Sequence, residues 1–209
     1  MKDDVYTLTA KLRNSLDEGY KLLTSAFSLG ELDQDDISGV ANFEFGCFMM
    51  YLMGGDKPAS REEVWMIRNI TNMDFTPERI RFVIHKQNID SEKFAKEVPI
   101  LFQMAVAADG ILLRRGIIKE YLGSEVWLEL YNSVGLSFMM ASDKDNKDMA
   151  QRFLPYIRML KDYRDEKLED LVEKPEPAGG GVAAPVKDGT APQTGSTSSK
   201  RGVPAPKKR

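Results

Sequence analysis

Apolar residues recur every three or four positions along almost all of residues 1–173. The longest such run lies near the N-terminus: Val5, Leu8, Leu12, Leu16, Tyr20, Leu23 and Phe27. This spacing follows one face of an α-helix, so it predicts a long amphipathic helix over residues 3–28. No stretch shows the sustained apolar–polar alternation between turn residues that is typical of strands. The sequence therefore predicts an all-α fold.

Start and break signals divide the remaining residues into further helices. Ser60 with Glu63 matches a capping box, and Thr76-Pro77 is a second typical start. A second helix is expected over residues 37–53 and a last one over residues 145–171. The other signals are two serines followed by acids and two prolines within helical patterns: Ser91, Ser124, Pro99 and Pro155. Together they predict a compact bundle of about seven to nine helices.

Residues 174–209 differ in composition from the rest of the chain. They hold six of the ten prolines and six of the sixteen glycines, and they contain no aromatic residue. Their seven Lys/Arg and two acids give a net charge of +5, whereas residues 1–173 carry −8. Such a segment buries too little apolar surface to offset the entropy lost on ordering. We therefore expect an all-helical domain over residues 1–173 and a disordered basic tail over residues 174–209.

The scarcity of cysteine and histidine narrows the chemistry. Cys47 and His85 are the only residues of their types, too few for a zinc site of the usual Cys/His kind. A Ser–His–Asp or Cys–His arrangement would have to use His85, which lies in a helical pattern without a recognisable nucleophile motif. The glycines form neither GxGxxG nor a P-loop. The sequence thus predicts a protein that is not an enzyme.

Export and membrane signals are also lacking in the sequence. The first residues, Met1-Lys2-Asp3-Asp4, are acidic, and no apolar stretch typical of a signal peptide follows them. The longest strictly apolar run, Cys47–Met53, is far shorter than the roughly 20 residues that span a bilayer. We therefore expect no transmembrane segment and a cytoplasmic location.

Three apolar helical runs each stop at a small residue followed by an aspartate. These aspartates are Asp56, Asp109 and Asp143. Because Ca²⁺ and Mg²⁺ bind carboxylate and carbonyl oxygens, acids gathered at one end of a bundle could hold such an ion. The simpler interpretation is that Asp and Gly make local turn hydrogen bonds and favour the start of the next helix. Both interpretations are open on the sequence alone.

The acidic segments do not match an EF-hand calcium loop. Residues 33–44 fit at positions one, three and twelve, with Glu44 as the last ligand. Ile37 and Ser38, however, occupy positions five and six, where an oxygen ligand and a glycine are required. Any cation site would therefore be of another kind.

Two of the acidic turns resemble a known family. The segment Ala107-Ala108-Asp109-Gly110, and the segment Gly54-Gly55-Asp56 followed by Ser60 and Glu63, resemble the repeated turns of TerB-like domains. These are all-α modules named for tellurite resistance and also found attached to co-chaperones and other proteins. The resemblance covers about residues 37–170.

The resemblance implies a divalent cation site, because the acidic turns of that family approach each other and are proposed to bind such ions. The residues implied as ligands to Ca²⁺ or Mg²⁺, the last by a more distant match, are Asp56, Glu63, Asp109 and Asp143. The second turn departs from the family pattern. It lacks the serine cap and the glutamate, and Arg114 and Arg115 follow it, where they could pair with the carboxylates instead.

Two interaction functions are compatible with these features, and an enzyme with unrecognised carboxylate chemistry ranks third. The first is a non-catalytic helical interaction module of the TerB-like, stress-response kind, with a protein partner and a divalent cation. The alternative is a scaffold or adaptor of a mobile-element or secretion system that uses its basic tail as a tether. The tail end, Pro204–Arg209, could contact an anionic surface weakly. Its sparse charges and lack of aromatic residues argue against specific nucleic-acid binding.

Overall fold

The computed structural model describes residues 2–26, 34–116, 123–142 and 146–173. Their regular elements are α1 (Lys2–Ala26), α2 (Gln34–Met53), α3 (Arg61–Thr71), α4 (Pro77–Gln87), a 3₁₀ turn (Phe94–Lys96), α5 (Ile100–Arg114), α6 (Gly123–Ala141) and α7 (Asn146–Glu173). The predicted tail over residues 174–209 lies outside the described residues, as does Asp143.

The prediction of an all-α fold is confirmed, because every regular element of the described residues is helical. These residues form seven α-helices, which agrees with the expected seven to nine. The helix predicted over residues 3–28 is observed as α1, from Lys2 to Ala26. No helix in the described part of the chain is both long enough and apolar enough to cross a bilayer.

The two helix starts that the sequence predicted from capping residues, at Ser60 and Thr76, are observed. The Ser60 hydroxyl accepts the Glu63 N–H at 3.1 Å, and the Glu63 carboxylate accepts the Ser60 N–H at 2.6 Å. The Thr76 hydroxyl caps α4 by accepting the Arg79 N–H at 3.2 Å, with Pro77 at the first helical position. After α2, Gly54 has a φ of 70°, a left-handed conformation that glycine adopts without strain.

One predicted helix end is wrong. Helix α5 does not stop at the Ala-Asp-Gly sequence but continues to Arg114, so Asp109 lies inside the helix. Gly110 is required by packing rather than by a turn, since a Cβ there would lie 2.6 Å from Cδ1 of Leu171 on α7. The apolar residues 111–113 that follow then continue the helical pattern.

One other boundary also differs from the prediction. Ser91 starts only a 3₁₀ turn, in which its hydroxyl accepts the Phe94 N–H at 3.2 Å. Helix α7 runs through Pro155, within the helix expected over residues 145–171, and Pro99 directly precedes α5. The packing of buried α7 residues on both sides of Pro155, such as Phe153, outweighs the hydrogen bond that proline removes.

Helix α2 occupies the centre of the bundle and packs against each of the six other α-helices. Its Phe45 ring stacks on Trp127 of α6 with centroids 5.6 Å apart. Its Phe48 ring stacks on Tyr156 of α7 at 4.9 Å and meets Tyr131 edge-on at 5.4 Å. Large buried rings contribute most of the apolar area of such a core. The core is therefore built around one face-to-face aromatic layer between α2, α6 and α7.

Helix α6 packs tightly against Phe153 of α7 at Gly135. A Cβ at this position would lie 2.5 Å from Cδ2 of Phe153 and 3.3 Å from Cζ of Phe48, and both rings are buried. We expect Gly135→Ala to lower the free energy of unfolding by about 1 kcal/mol, because overpacking of about 1–3 kcal/mol exceeds the gain in helix propensity. Urea denaturation measures this change.

The same substitution at Gly39 provides a matched control. Gly39 lies in α2, and a Cβ there would meet no atom within 4 Å. Gly39→Ala is expected to raise the free energy of unfolding by about 0.5–1 kcal/mol through helix propensity alone. Equal effects of the two substitutions would contradict the close approach of α6 and α7 at Gly135.

Candidate functional site

Glu63, one of the predicted cation ligands, is completely buried at the start of α3. Its Oε2 accepts the Ser60 N–H at 2.6 Å, and its Oε1 accepts the Ser142 hydroxyl at 2.7 Å. Ser142 directly follows α6 and precedes Asp143 in the sequence. The Glu63 carboxylate therefore joins the first acidic turn of the sequence to the third.

Asp109, a second predicted ligand, caps a neighbouring helix. It is buried, and its Oδ1 accepts the Gly123 N–H at 2.9 Å while Oδ2 accepts the Ser124 N–H at 2.7 Å. Both donors lie at the start of α6, where backbone N–H groups lack helical partners. Arg114 donates through Nε to the Leu171 carbonyl at 2.8 Å. The Asp109 carboxylate is thus used to begin a helix.

Of the two remaining predicted ligands, Asp56 does not contact these buried carboxylates and Asp143 lies outside the described residues. Asp56 is exposed after α2, beside a polar cavity that also contacts Lys57, Asp148 and Arg152. In the described residues, no three His, Cys, Asp or Glu side chains are placed to hold a metal ion. Asp143 lies outside those residues, so the Ca²⁺ or Mg²⁺ site stays a prediction.

A different acid, Glu44, lines an apolar cavity. This cavity, of about 320 Å³, lies between α2, residues 87–100 and Tyr156 of α7. Val40, Phe43, Glu44 and Cys47 form its α2 wall, at the three- and four-residue spacing of one helix face. We call it the Glu44 pocket. Its lining is mostly apolar with few polar groups, which is the usual character of a ligand site.

The two oxygens of Glu44 have different surroundings. Oε1 accepts the Ile100 N–H at 2.6 Å and so caps α5, whose own N-cap residue, Pro99, provides no side-chain hydrogen bond. Oε2 is buried and has no hydrogen-bond partner among the described residues. The Tyr131 hydroxyl lies beside this carboxylate, lowers its pKa and is likewise buried without another partner among the described residues. Oε2 is therefore enclosed next to the Tyr131 hydroxyl, away from solvent.

Burial controls the protonation of the groups around the pocket. It raises the pKa of Glu44 to about 7, although the amides of Ile100 and Leu101 and the Tyr131 hydroxyl oppose it by stabilising the ionised form. Burial raises the pKa of the Cys47 thiol to about 11, and the nearby carboxylates, Glu44 first, add to this shift. Glu44 is therefore the group of this pocket that changes charge near neutral pH.

The sequence contained a signal for this site that the motif search did not use. Glu44 is the only charged residue between positions 37 and 53, within an apolar stretch of α2. A single acid on an apolar helix is costly to bury and is often functional. Its partner, the Ile100 N–H, is 56 positions away and could not be identified from spacing.

Comparison of this chain with protein-family models, with curated proteins and with solved structures finds no match.

Asp109 has an observed role as the cap of α6 and a predicted role as a cation ligand. The substitution Asp109→Asn, measured without a cation, separates the two roles. The asparagine amide would face one of the two α6 N–H donors and leave it unpaired, which lowers the free energy of unfolding by about 1–3 kcal/mol. Asp56→Asn is the control, because an exposed substitution of this kind changes it by no more than about 0.5 kcal/mol. Thermal melts in EDTA and then in CaCl₂ measure both. Unchanged stability of Asp109→Asn in EDTA would contradict the capping role, whereas calcium stabilisation lost in both variants would support the cation site.

The raised pKa of Glu44 predicts a pH-dependent stability. A carboxyl whose pKa rises from 4.5 to about 7 on folding stabilises the protein fully below pH 4.5 and loses this contribution as the pH rises through 7. Glu44→Gln keeps an oxygen for the Ile100 N–H but does not titrate. From about pH 5 to 8, the wild type should lose about 2 to 3 kcal/mol of unfolding free energy relative to this variant. A difference in unfolding free energy between the wild type and Glu44→Gln that stays constant from about pH 5 to 8, measured by urea denaturation, would contradict the raised pKa of Glu44.

Proposed function

We propose that this chain is a non-catalytic helical interaction module that binds a protein partner at the Glu44 pocket. The observation that carries the proposal is the exposure of apolar side chains around the opening of the pocket. Val40, Phe43 and Ile100 line the cavity and are 41%, 54% and 63% exposed. Isolated apolar residues are common on protein surfaces, but a group of them around a concave site is typical of binding.

The chemistry of the pocket supports binding rather than catalysis. With a pKa of about 11, the Cys47 thiol is protonated and weakly nucleophilic at neutral pH. Burial also raises the pKa of the Tyr131 and Tyr156 hydroxyls, so neither is a ready proton donor. Acid–base catalytic sites usually pair two titratable groups, with one pKa raised and the other lowered so that both can exchange protons near neutral pH. Among the described groups near Glu44 whose pKa is shifted, none is shifted toward neutral pH in this way.

The resemblance to TerB-like domains supports the same class of function. We extend the proposal to a cytoplasmic stress-response module of the tellurite-resistance kind, in which Ca²⁺ or Mg²⁺ steadies the acidic turns. The hydrogen bond between Glu63 and Ser142 favours that part, since it joins two of the turns. The alternative of a scaffold or adaptor tethered by residues 174–209 also needs a docked protein, so the pocket serves either function.

Peptide selection tests the proposal. Peptides displayed on phage are enriched on the wild-type chain, and synthetic copies are titrated by fluorescence anisotropy. We expect Phe43→Asp to weaken their binding about tenfold or more, because a charge then lies in the apolar contact. Phe82→Asp is the matched control, since Phe82 is exposed by 65% and does not line the pocket. Failure to enrich any binder, or equal binding to both variants, would overturn the proposal.

A further inference from the structure

We propose that the outer face of α4 is a docking surface for an anionic membrane, with Phe82 as an apolar anchor between three cations. Helix α4 packs on the core through Ile80 and Ile84, which are completely buried. Phe82 lies on the opposite side of the helix and is 65% exposed, more than any other aromatic side chain of the described residues. It does not line the Glu44 pocket, so this inference is independent of the proposed function.

Three exposed cations stand around Phe82. Arg79 and Lys86 lie three residues before it and four after it, which places them in one row with the ring, and Arg81 directly precedes it. Arg81 and Lys86 have no ion pair or side-chain hydrogen bond among the described residues. Arg79 lies over the Phe75 ring at 5.6 Å from its centre, a contact that leaves the charge of the guanidinium in place. We call the residues Arg79, Arg81, Phe82 and Lys86 the α4 face.

The acids close to α4 in the sequence are engaged by other groups. Glu78 is held at the start of α4, where hydrogen bonds from its own backbone N–H and from the capping threonine hydroxyl lower its pKa. Asp74 pairs with Arg68 of α3. Asp90 approaches the loop after α2, where a Cβ on Gly55 would lie 2.9 Å from its Oδ2. With three Lys/Arg and one acid, α4 keeps a net charge of +2, whereas residues 1–173 together carry −8.

The shape and freedom of the α4 face favour a membrane among anionic partners. The outer side of a helix is convex, whereas sites for single-stranded nucleic acid hold the strand in a groove. A protein partner would fix each cation against an acid, at the cost of the side-chain freedom that Arg81 and Lys86 retain. A bilayer requires no such match. Its anionic headgroups attract cations diffusely, and a ring enters the apolar boundary just beneath them.

The negative charge of the rest of the chain does not prevent this contact. At physiological ionic strength, exposed charges are largely screened beyond about 8 Å, so the membrane responds mainly to the helix that touches it. Each Lys or Arg close to an anionic leaflet strengthens binding about fivefold. Three cations and one ring contribute less than two lipid anchors would, so we expect weak and reversible binding.

Cosedimentation of the full chain with vesicles tests the proposal. Vesicles of phosphatidylcholine alone are compared with vesicles that contain about one third phosphatidylserine. We expect the partition coefficient to be about thirtyfold or more higher on the anionic vesicles, because α4 carries a net charge of +2. Raising the salt from about 0.1 M to 0.5 M should lower it about tenfold. Equal partition into both kinds of vesicle, or into neither, would overturn the proposal.

Two double variants assign the contact to α4. Arg81→Gln/Lys86→Gln should lower partition into the anionic vesicles about twentyfold. Arg158→Gln/Lys161→Gln removes the same charge from exposed positions of α7 and should bind as the wild type does. All four positions are exposed, so the fold should be kept, which circular dichroism checks. Equal partition of the two double variants would show that net charge or the basic tail governs binding, and would overturn the role of α4.

The anchor is tested by its own pair of variants. Phe82→Ala should lower partition about fivefold or more, because the ring no longer leaves water on binding. Leu154→Ala is the matched control, since Leu154 is 64% exposed on α7. In Phe82→Trp, the added fluorescence, after subtraction of the wild-type spectrum, should shift to shorter wavelength on anionic vesicles. Binding without such a shift would overturn the anchoring role of Phe82.

Nucleic acid is the competing occupant, and the same variants separate it from a membrane. Titration with oligothymidine, followed by fluorescence anisotropy, gives its affinity for the full chain. Binding of the oligonucleotide that Arg81→Gln/Lys86→Gln and Phe82→Ala both weaken, together with no partition into vesicles, would overturn the membrane assignment in favour of a single strand. Partition into anionic vesicles that these variants reduce, without binding of the oligonucleotide, would support it.

Discussion

The position of α2 at the centre of the bundle is the constraint on which the rest of the structure depends. Every other α-helix of the described residues packs against it, and its Phe45 and Phe48 rings hold α6 and α7 through stacked aromatic pairs. A polar group on the inward side of a helix surrounded in this way is shielded from water, so it needs a partner from a neighbouring helix. Glu44 meets this requirement with one oxygen, which accepts the Ile100 N–H and thereby positions α5.

Buried carboxylates at helix starts are a repeated device in this molecule. Glu44 caps α5 from α2, Asp109 caps α6 from α5, and Glu63 completes the capping box of α3. Each places negative charge at the positive end of a helix dipole and accepts N–H groups that the helix cannot satisfy. This shared role explains why acids stand beside apolar helical runs in the sequence. Both oxygens of Asp109 and of Glu63 accept hydrogen bonds, whereas Oε2 of Glu44 is enclosed beside the Tyr131 hydroxyl.

Glu44 connects the fold to the proposed function. The hydrogen bond that holds α5 also holds the carboxylate at the pocket, so the site is placed by the helix packing rather than by a separate loop. A partner docked at the pocket would contact the Glu44 side chain, which lines it. The apolar rim of Phe43 and Ile100 would be covered at the same time. Stability and binding are therefore linked through one side chain.

The sequence by itself determined the helical class of the fold, most helix boundaries and the Ser60–Glu63 capping box. These follow from spacing and from contacts within four residues, which periodicity and cap chemistry predict. Only the tertiary structure decided the partners of the acids. Asp109 meets Ser124 across 15 positions and Glu44 meets Ile100 across 56. Such pairs depend on which helices pack together. The sequence Asp109-Gly110 has the composition of a turn, and only the packing of α5 against α7 shows that it lies inside a helix.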